Sequence, residues 1–172
     1  DIIQNESGDI VISTLGGISI LKHDQFINIT RDQGLINSQT NAISIGPKGR
    51  IWLASFDGVT VLDRKGSIYL SSENGLSHNE VRSVMHDTQG NTWMGTKKGL
   101  CRLNSLRTRY LKPADDEELE MEPTGFVSTR LGMLISNAVG GIYTFQNERF
   151  VPIVEDLDLL DHPISSMVMT SD

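Results

Sequence analysis

Glycine recurs along this chain at a fixed interval. Gly8, Gly49, Gly90 and Gly132 stand 41, 41 and 42 residues apart, and each is followed nine positions on by a second glycine: Gly17, Gly58, Gly99 and Gly141. One unit is therefore repeated four times. A period near 40 belongs to architectures in which a unit cannot bury its own apolar face and must stack on its neighbours.

The four copies read GDIVISTLGGI from Gly8, GRIWLASFDGV from Gly49, GNTWMGTKKGL from Gly90 and GMLISNAVGGI from Gly132. In the first three, a glycine and a polar residue lead into an apolar or β-branched run, which holds Trp52 in the second copy and Trp93 in the third. Small residues follow, such as Ala54-Ser55 or Gly95-Thr96, and then a two-residue turn closed by glycine. This reads as two strands joined by a hairpin, with glycine where the backbone needs positive φ. The fourth copy keeps the glycine spacing but sets Ser136 and Asn137 where the others carry an apolar and a small residue.

Other pieces repeat outside this hairpin. Gly34-Leu35-Ile36-Asn37-Ser38 and Gly75-Leu76-Ser77-His78-Asn79 each precede an alternating apolar stretch, and a further short strand is predicted around 26–29, 68–70, 110–111 and 150–154. Four short strands per period is the arithmetic of a β-propeller blade. No stretch sustains apolar residues at helical spacing, and only 114–121 suits a helical turn or two. The predicted fold class is all-β, a β-propeller fragment of about four blades with four antiparallel strands in each.

The period also sets the boundaries. The whole chain, 1–172, reads as part of one propeller domain, with blades around 1–30, 40–71, 81–112 and 123–154 and the start of a further blade at 164–172, where Ile164, Met167 and Met169 resemble a first strand. Both termini fall inside a blade, so the expectation is a piece of a longer propeller. Closure as four blades, or pairing with a second copy as a homodimer, stays open.

Composition narrows the partners. Fifteen basic residues against 22 acidic ones, a net charge of −7, oppose binding to a phosphate backbone, so no nucleic acid is expected. No apolar run reaches the length of a membrane span, and no signal peptide opens the chain. Cys101 is the single cysteine, which rules out an internal disulfide and predicts a small buried apolar role on its strand. The histidines His23, His78, His86 and His162 share no metal-ligand spacing. Six carboxylates crowd residues 115–122 without the alternation of a calcium loop, so that segment reads as a solvated acidic loop. Neither a metal nor another cofactor is expected.

The motifs then carry a resemblance. Asn74-Gly75-Leu76-Ser77-His78-Asn79, followed by Val81, Val84 and Asp87 and by GNTWMGTKKGLCRLN, resembles the two-component regulator propeller repeat. Its pattern is a Gly-Leu-Pro or Gly-Leu-Ser segment ending in asparagine, an aspartate three residues before a glycine, and a Trp-Ile-Gly-Thr strand closed by Gly-Leu. The second copy is similar but has Gly46 at the aspartate position and Ala54-Ser55 for Gly-Thr; the first lacks the tryptophan and has Asn5 for the aspartate. The resemblance implies the sensor region of a membrane-spanning hybrid two-component histidine kinase of the Bacteroidetes type. It also implies a periplasmic location as part of an inner-membrane protein, and ligands derived from polysaccharides.

A propeller places the loops entering each innermost strand on the same face as the hairpins between second and third strands. On that face a small ligand or oligosaccharide would meet Asn37, Ser38, Phe56, Asp57, His78, Asn79, Lys97 and Lys98. Amide, hydroxyl and ammonium groups pair with sugar hydroxyls, and an aromatic ring covers a sugar's apolar face. The competing assignment is structural: Asn37 and Asn79 bonding their own loops, and the hairpin tips merely solvated. Trp52 and Trp93 are expected to pack between sheets. No carboxylate pair or nucleophile elbow stands out, so the chain is expected to be non-catalytic. The alternatives are a propeller lyase or glycosidase, or a protein-interaction scaffold.

Overall fold

The computed structural model describes residues 1–63, 66–104, 107–111, 122–129, 132–138, 140–146, 149–153, 164 and 167. The expected helical turn at 114–121, most of the acidic segment, His162 and Met169 lie outside the described residues.

Four sheets of four antiparallel strands follow one another along the chain, each in simple up-and-down order. The first holds β1 (Ile2–Gln4), β2 (Ile10–Thr14), β3 (Gly17–Lys22) and β4 (Gln25–Ile29). The second holds β5 (Thr40–Gly46), β6 (Arg50–Ser55), β7 (Gly58–Asp63) and β8 (Gly66–Leu70). The third holds β9 (Val81–His86), β10 (Thr92–Thr96), β11 (Gly99–Asn104) and β12 (Arg107–Leu111). The fourth holds β13 (Pro123–Thr129), β14 (Gly132–Asn137), β15 (Ile142–Gln146) and β16 (Arg149–Pro152). The all-β propeller architecture expected from the period is the architecture observed.

In the first two units the second glycine opens the third strand under a tight constraint. Gly17 has φ 127° and Gly58 has φ 130°, and a Cβ on them would lie 2.3 Å from the Ile29 carbonyl oxygen and 2.1 Å from that of Leu70. The end of the outermost strand crosses directly over the start of the third, so only glycine fits.

The second and third sheets bury both faces because side chains alternate across the strands. Val11 and Ile18 of the first sheet pack with Ile43 and Leu53 of the second. On the other face of the second sheet, Trp52, Val59 and Val61 pack with Val84, Met94 and Cys101 of the third. Trp93 and Leu100 continue the series against Ile135, Phe145 and Phe150 of the fourth. Both tryptophans thus lie between sheets, and Cys101 is fully buried there.

The fourth sheet corrects the overlay of copies by glycine. In the third sheet His86 pairs with Thr92 across residues 87–91, whereas in the fourth Ser128 pairs with Met133 across 129–132, one residue fewer. The next turn runs the other way: Gly95 pairs with Leu100 across 96–99, but Ser136 pairs with Ile142 across 137–141. A shortened turn and a lengthened one cancel over nine residues, so the glycine spacing survives while the strand between slides by one. Ile135, not Ser136, takes the buried place of Met94; Ser136 and Asn137 stand where the third sheet has Gly95 and Thr96.

Candidate functional site

One end of the strands carries the loops that enter β5 and β9 and the hairpins β6–β7 and β10–β11. The entry loops are built alike. A short 3₁₀ turn, Arg31–Gln33 or Ser72–Asn74, is capped reciprocally by Thr30 with Gln33 or by Ser71 with Asn74, and ends at a glycine with positive φ, Gly34 or Gly75. The loop then drops a leucine, Leu35 or Leu76, into the core and hangs from the third strand. The Ile36 N–H donates to Thr60 Oγ1 at 2.9 Å, and the Ser77 N–H to Cys101 Sγ at 3.2 Å. Burial pushes the Cys101 thiol up, partly offset by the hydrogen bonds from Ser77, so the sulfur serves as an anchor in its protonated form.

The predicted contact residues repeat their roles at the same spacing. Ser38 Oγ accepts from the Arg31 N–H at 3.0 Å, and Asn79 Oδ1 from the Ser72 N–H at 2.7 Å. Asn37 Oδ1 accepts from the Gln39 N–H at 2.8 Å, and His78 Nδ1 from the Glu80 N–H at 3.0 Å. These atoms hold the loops. What they leave over differs between the two blades. Asn37 turns its amide nitrogen to Asp57 Oδ2 at 2.9 Å, so the structure brings the entry loop and the hairpin tip of the second blade together. Phe56 stands 44% exposed beside that pair. Lys97 and Lys98 form an exposed tip on the third blade, held by the Lys98 N–H to Thr96 Oγ1 at 3.1 Å and the Lys97 N–H to the Glu80 carbonyl at 2.9 Å.

Around Lys97 the sequence reading missed a charged cluster. Lys97 Nζ lies 3.7 Å from Glu80 Oε2; the same carboxylate accepts from Arg82 Nη2 at 2.9 Å and Nε at 3.1 Å, and Arg82 Nη1 pairs with Glu122 of the fourth blade. The geometry of the innermost strands explains where Arg82 points. Those of the second, third and fourth sheets, β5, β9 and β13, have a bulge near the start, at Asn41, Arg82 and Thr124, where the pairing skips one residue. A bulge re-aims the extra side chain, and all three reach forward along the chain: Asn41 Nδ2 to the Val81 carbonyl of the third sheet at 2.8 Å, Arg82 to Glu122 at the start of the fourth, and Thr124 Oγ1 to the Ile164 carbonyl beyond it. The signal in the sequence was a polar residue one period apart at the head of each innermost strand.

Three positive side chains, Lys97, Lys98 and Arg82, and two negative ones, Glu80 and Glu122, on one rim, with the Asn37–Asp57 pair and an exposed aromatic on the next, form a surface of many donors and acceptors with three charges of each sign. That suits a hydroxyl-rich ligand better than a strongly charged one. No group of three metal-ligating side chains occurs among the described residues.

The opposite end of the strands is built around the aspartate position of the repeat. Asp87 Oδ1 accepts from the Gln89 and Asn91 N–H groups at 2.9 and 2.8 Å, and Oδ2 accepts from Asn91 Nδ2 and Trp93 Nε1, both at 2.7 Å. Burial alone would raise the Asp87 pKa, but these four bonds outweigh it and hold the carboxyl below its usual range. Asn5 fills the same role in the first blade, accepting from the Ser7 and Asp9 N–H groups at 2.9 Å. In the second blade the position is Gly46. Its virtual Cβ would lie 2.5 Å from Trp52 Nε1 and 2.7 Å from His86 Nε2, because the His86 ring, edge-on to Trp52 with centroids 5.1 Å apart, fills the space.

Comparisons with known proteins agree with this architecture. Residues 75–98, from Gly75 to the Lys97-Lys98 tip, match the family model described as two component regulator propeller. The fold resembles the extracellular domains of two hybrid two component systems of B. thetaiotaomicron. One is 20% identical, with 94% of this chain and 22% of that one covered and a TM-score of 0.73. The other is 17% identical, with 97% and 24% covered and a TM-score of 0.73. It also resembles virginiamycin B lyase from Staphylococcus aureus, 11% identical, with 96% of this chain and 59% of the lyase covered and a TM-score of 0.71. The chain spans under a quarter of the length of the two extracellular domains. No curated protein matches the sequence.

Proposed function

We propose that this chain is a segment of the sensor propeller of a two-component signalling receptor, lying on the periplasmic side of the inner membrane and binding a carbohydrate-derived ligand without turning it over. The observation that carries this reading is the match at residues 75–98. That segment supplies His78, Asn79, Lys97 and Lys98, half of the face on which the entry loops and hairpin tips gather. The chemistry of the face supports a sugar: the Asn37–Asp57 pair offers a donor and acceptors, and Phe56 offers a flat apolar surface.

The partners follow from the stacking. The face of the first sheet turned away from the second presents Ile10, Ile12, Leu21 and Phe26, with Phe26 62% exposed. On the second sheet the corresponding face is covered by the first, so the natural cover is another blade, from the remainder of the same propeller or from a second copy. A reporter of this kind works by reorientation of stiff stacked sheets against a neighbouring domain.

The test is calorimetric titration of the intact ectodomain with a panel of oligosaccharides, beside a turnover assay on the same panel. Binding without product is expected, with Asp57→Ala weakening it by roughly tenfold and Phe56→Ala by a similar factor, the loss of one hydrogen-bonded or stacked contact. Measurable product would overturn the sensor reading and favour an enzyme, the function of the lyase that shares this fold.

A further inference from the structure

The seam between the second and third sheets is incomplete where the next seam is full. In the seam of sheets three and four, Trp93 meets Phe145 edge-on at 5.4 Å between centroids, Phe145 meets Phe150 at 5.1 Å, and the Arg102 guanidinium lies 5.5 Å from the Trp93 ring centre. Asp87 completes it by accepting the indole N–H. One blade earlier the same register positions hold smaller residues. Trp52 pairs across the hairpin with Val61, as Trp93 does with Arg102. The third sheet offers Leu103 where the fourth offers Phe145. The carboxylate is replaced by Gly46.

A cleft of about 420 Å³ opens where this bulk is missing, lined by Trp52, Val61, Ile68, Leu70 and Leu103, with Arg50 among its polar residues. Arg50 Nη2 touches Asp63 Oδ2 at 3.4 Å while the side chain stays 39% exposed, so most of its donors are open to a second anion. The Trp52 side chain is nearly buried, and its Nε1 has no hydrogen-bond partner among the described residues. A pocket of this size, mostly apolar with one cation at its mouth, is a small-molecule site by its dimensions and lining. It lies at the β5–β6 and β9–β10 turns, the opposite end of the strands from Asn37 and Asp57.

We propose that the cleft between the second and third blades binds a small carboxylate with an aromatic or branched apolar body, the body lying against Trp52 and Leu103 and the carboxylate on Arg50. The ligand replaces the flat apolar filling that Phe145 and Phe150 supply one seam further on, while its carboxylate goes to Arg50 at the mouth, since the place of Asp87 is taken by the His86 ring. Binding there tightens a seam between two blades, and this site is independent of the sugar-binding face.

This chain contributes Trp52 and Trp93, and their two indole N–H signals in the ¹⁵N-labelled intact protein are assigned with Trp52→Phe and Trp93→Phe. The probe is phenylacetate, with neutral phenylacetamide and acetate as controls. Phenylacetate is expected to move the Trp52 signal saturably, in the millimolar range or tighter for about ten heavy atoms, and to leave the Trp93 signal in place. Both controls are expected to bind at least tenfold more weakly. Leu103→Phe, which installs the filling of the next seam, is expected to abolish the shift, and Arg50→Gln to weaken it about tenfold. Should Leu103→Phe not fold, Arg50→Gln at the exposed mouth carries the test. An unmoved Trp52 signal, equal movement of both indoles, equal binding of the amide, or full binding by Arg50→Gln would each overturn the proposal.

Discussion

Trp52 and Trp93 occupy one register position in adjacent blades, and their surroundings share almost nothing polar. Trp93 donates to a carboxylate of its own blade, held by four hydrogen bonds; Trp52 faces a glycine and the edge of a histidine borrowed from the next blade. The repeat therefore dictates where a large flat side chain lies, because the strand period and the hairpin fix it. What completes that side chain is settled seam by seam. Blade three solves the problem locally and blade two solves it across the interface, which makes the second seam dependent on its neighbour.

The largest effect is expected from forcing blade two into the solution of blade three. Gly46→Asp restores the aspartate of the repeat, but its Cβ would meet Trp52 Nε1 at 2.5 Å and His86 Nε2 at 2.7 Å. Overpacking of a buried seam costs about 1–3 kcal/mol, and urea denaturation should find a loss at the upper end of that range because a carboxylate is buried as well. Adding His86→Ala vacates the space. The double variant should recover at least about 1 kcal/mol relative to the sum of the single ones. A stabilised Gly46→Asp single variant would mean that the two seams are interchangeable and would break the comparison.

The next effect lies in blade three. Asp87→Ala removes acceptors from two backbone N–H groups and the Asn91 and Trp93 side chains and should cost about 2 kcal/mol, the range for hydrogen bonds to a charged group. The tryptophans then sharpen the contrast. Trp93→Phe leaves a carboxylate oxygen short of a donor, while Trp52→Phe deletes a buried N–H that had no partner, so Trp93→Phe should be the more costly by about 1 kcal/mol. Equal losses in denaturation midpoints would show that the Asp87 bond contributes nothing to the seam.

The repeat made the strands, the hairpins, the inter-sheet place of both tryptophans and the burial of Cys101 legible, since all of these follow from period and alternation. Two things were hidden. The glycine ruler misplaced Ser136 and Asn137 by one residue because a short turn and a long turn cancel, and spacing between glycines carries no record of the register between them. The forward links of Asn41, Arg82 and Thr124 escaped notice because an amide, a guanidinium and a hydroxyl share no chemistry; they share only a bulge, which is a property of pairing. Likewise Asn37, Ser38, His78 and Asn79 were legible as repeated polar positions, but that Asn37 meets Asp57 while His78 has no such counterpart depends on the hairpin tip, where Phe56-Asp57 is replaced by Lys97-Lys98.

The smallest expected effect is a pH dependence that separates the two seams. Burial lowers the His86 pKa from 6.5, with Asp87 opposing the shift, while its Nδ1 lies 3.0 Å from Thr92 Oγ1. The unfolded chain therefore binds a proton at this residue more readily than the folded one, and stability falls as pH drops below about 6.5 toward the folded pKa, then levels. Asp87 acts in a lower window: its folded pKa lies below 3.8, so the contribution of its hydrogen bonds is present above that value and is lost as pH falls through the folded pKa. Acid denaturation followed by fluorescence should show two limbs. His86→Phe, which keeps a ring against Trp52, should flatten the upper one, and Asp87→Asn should flatten the lower one while enlarging the upper, because the charge that opposes the His86 shift is gone. A single limb unaffected by His86→Phe would mean that the histidine is free to take up a proton in the folded chain, and the dependence of the second seam on its neighbour would then be one of shape without charge.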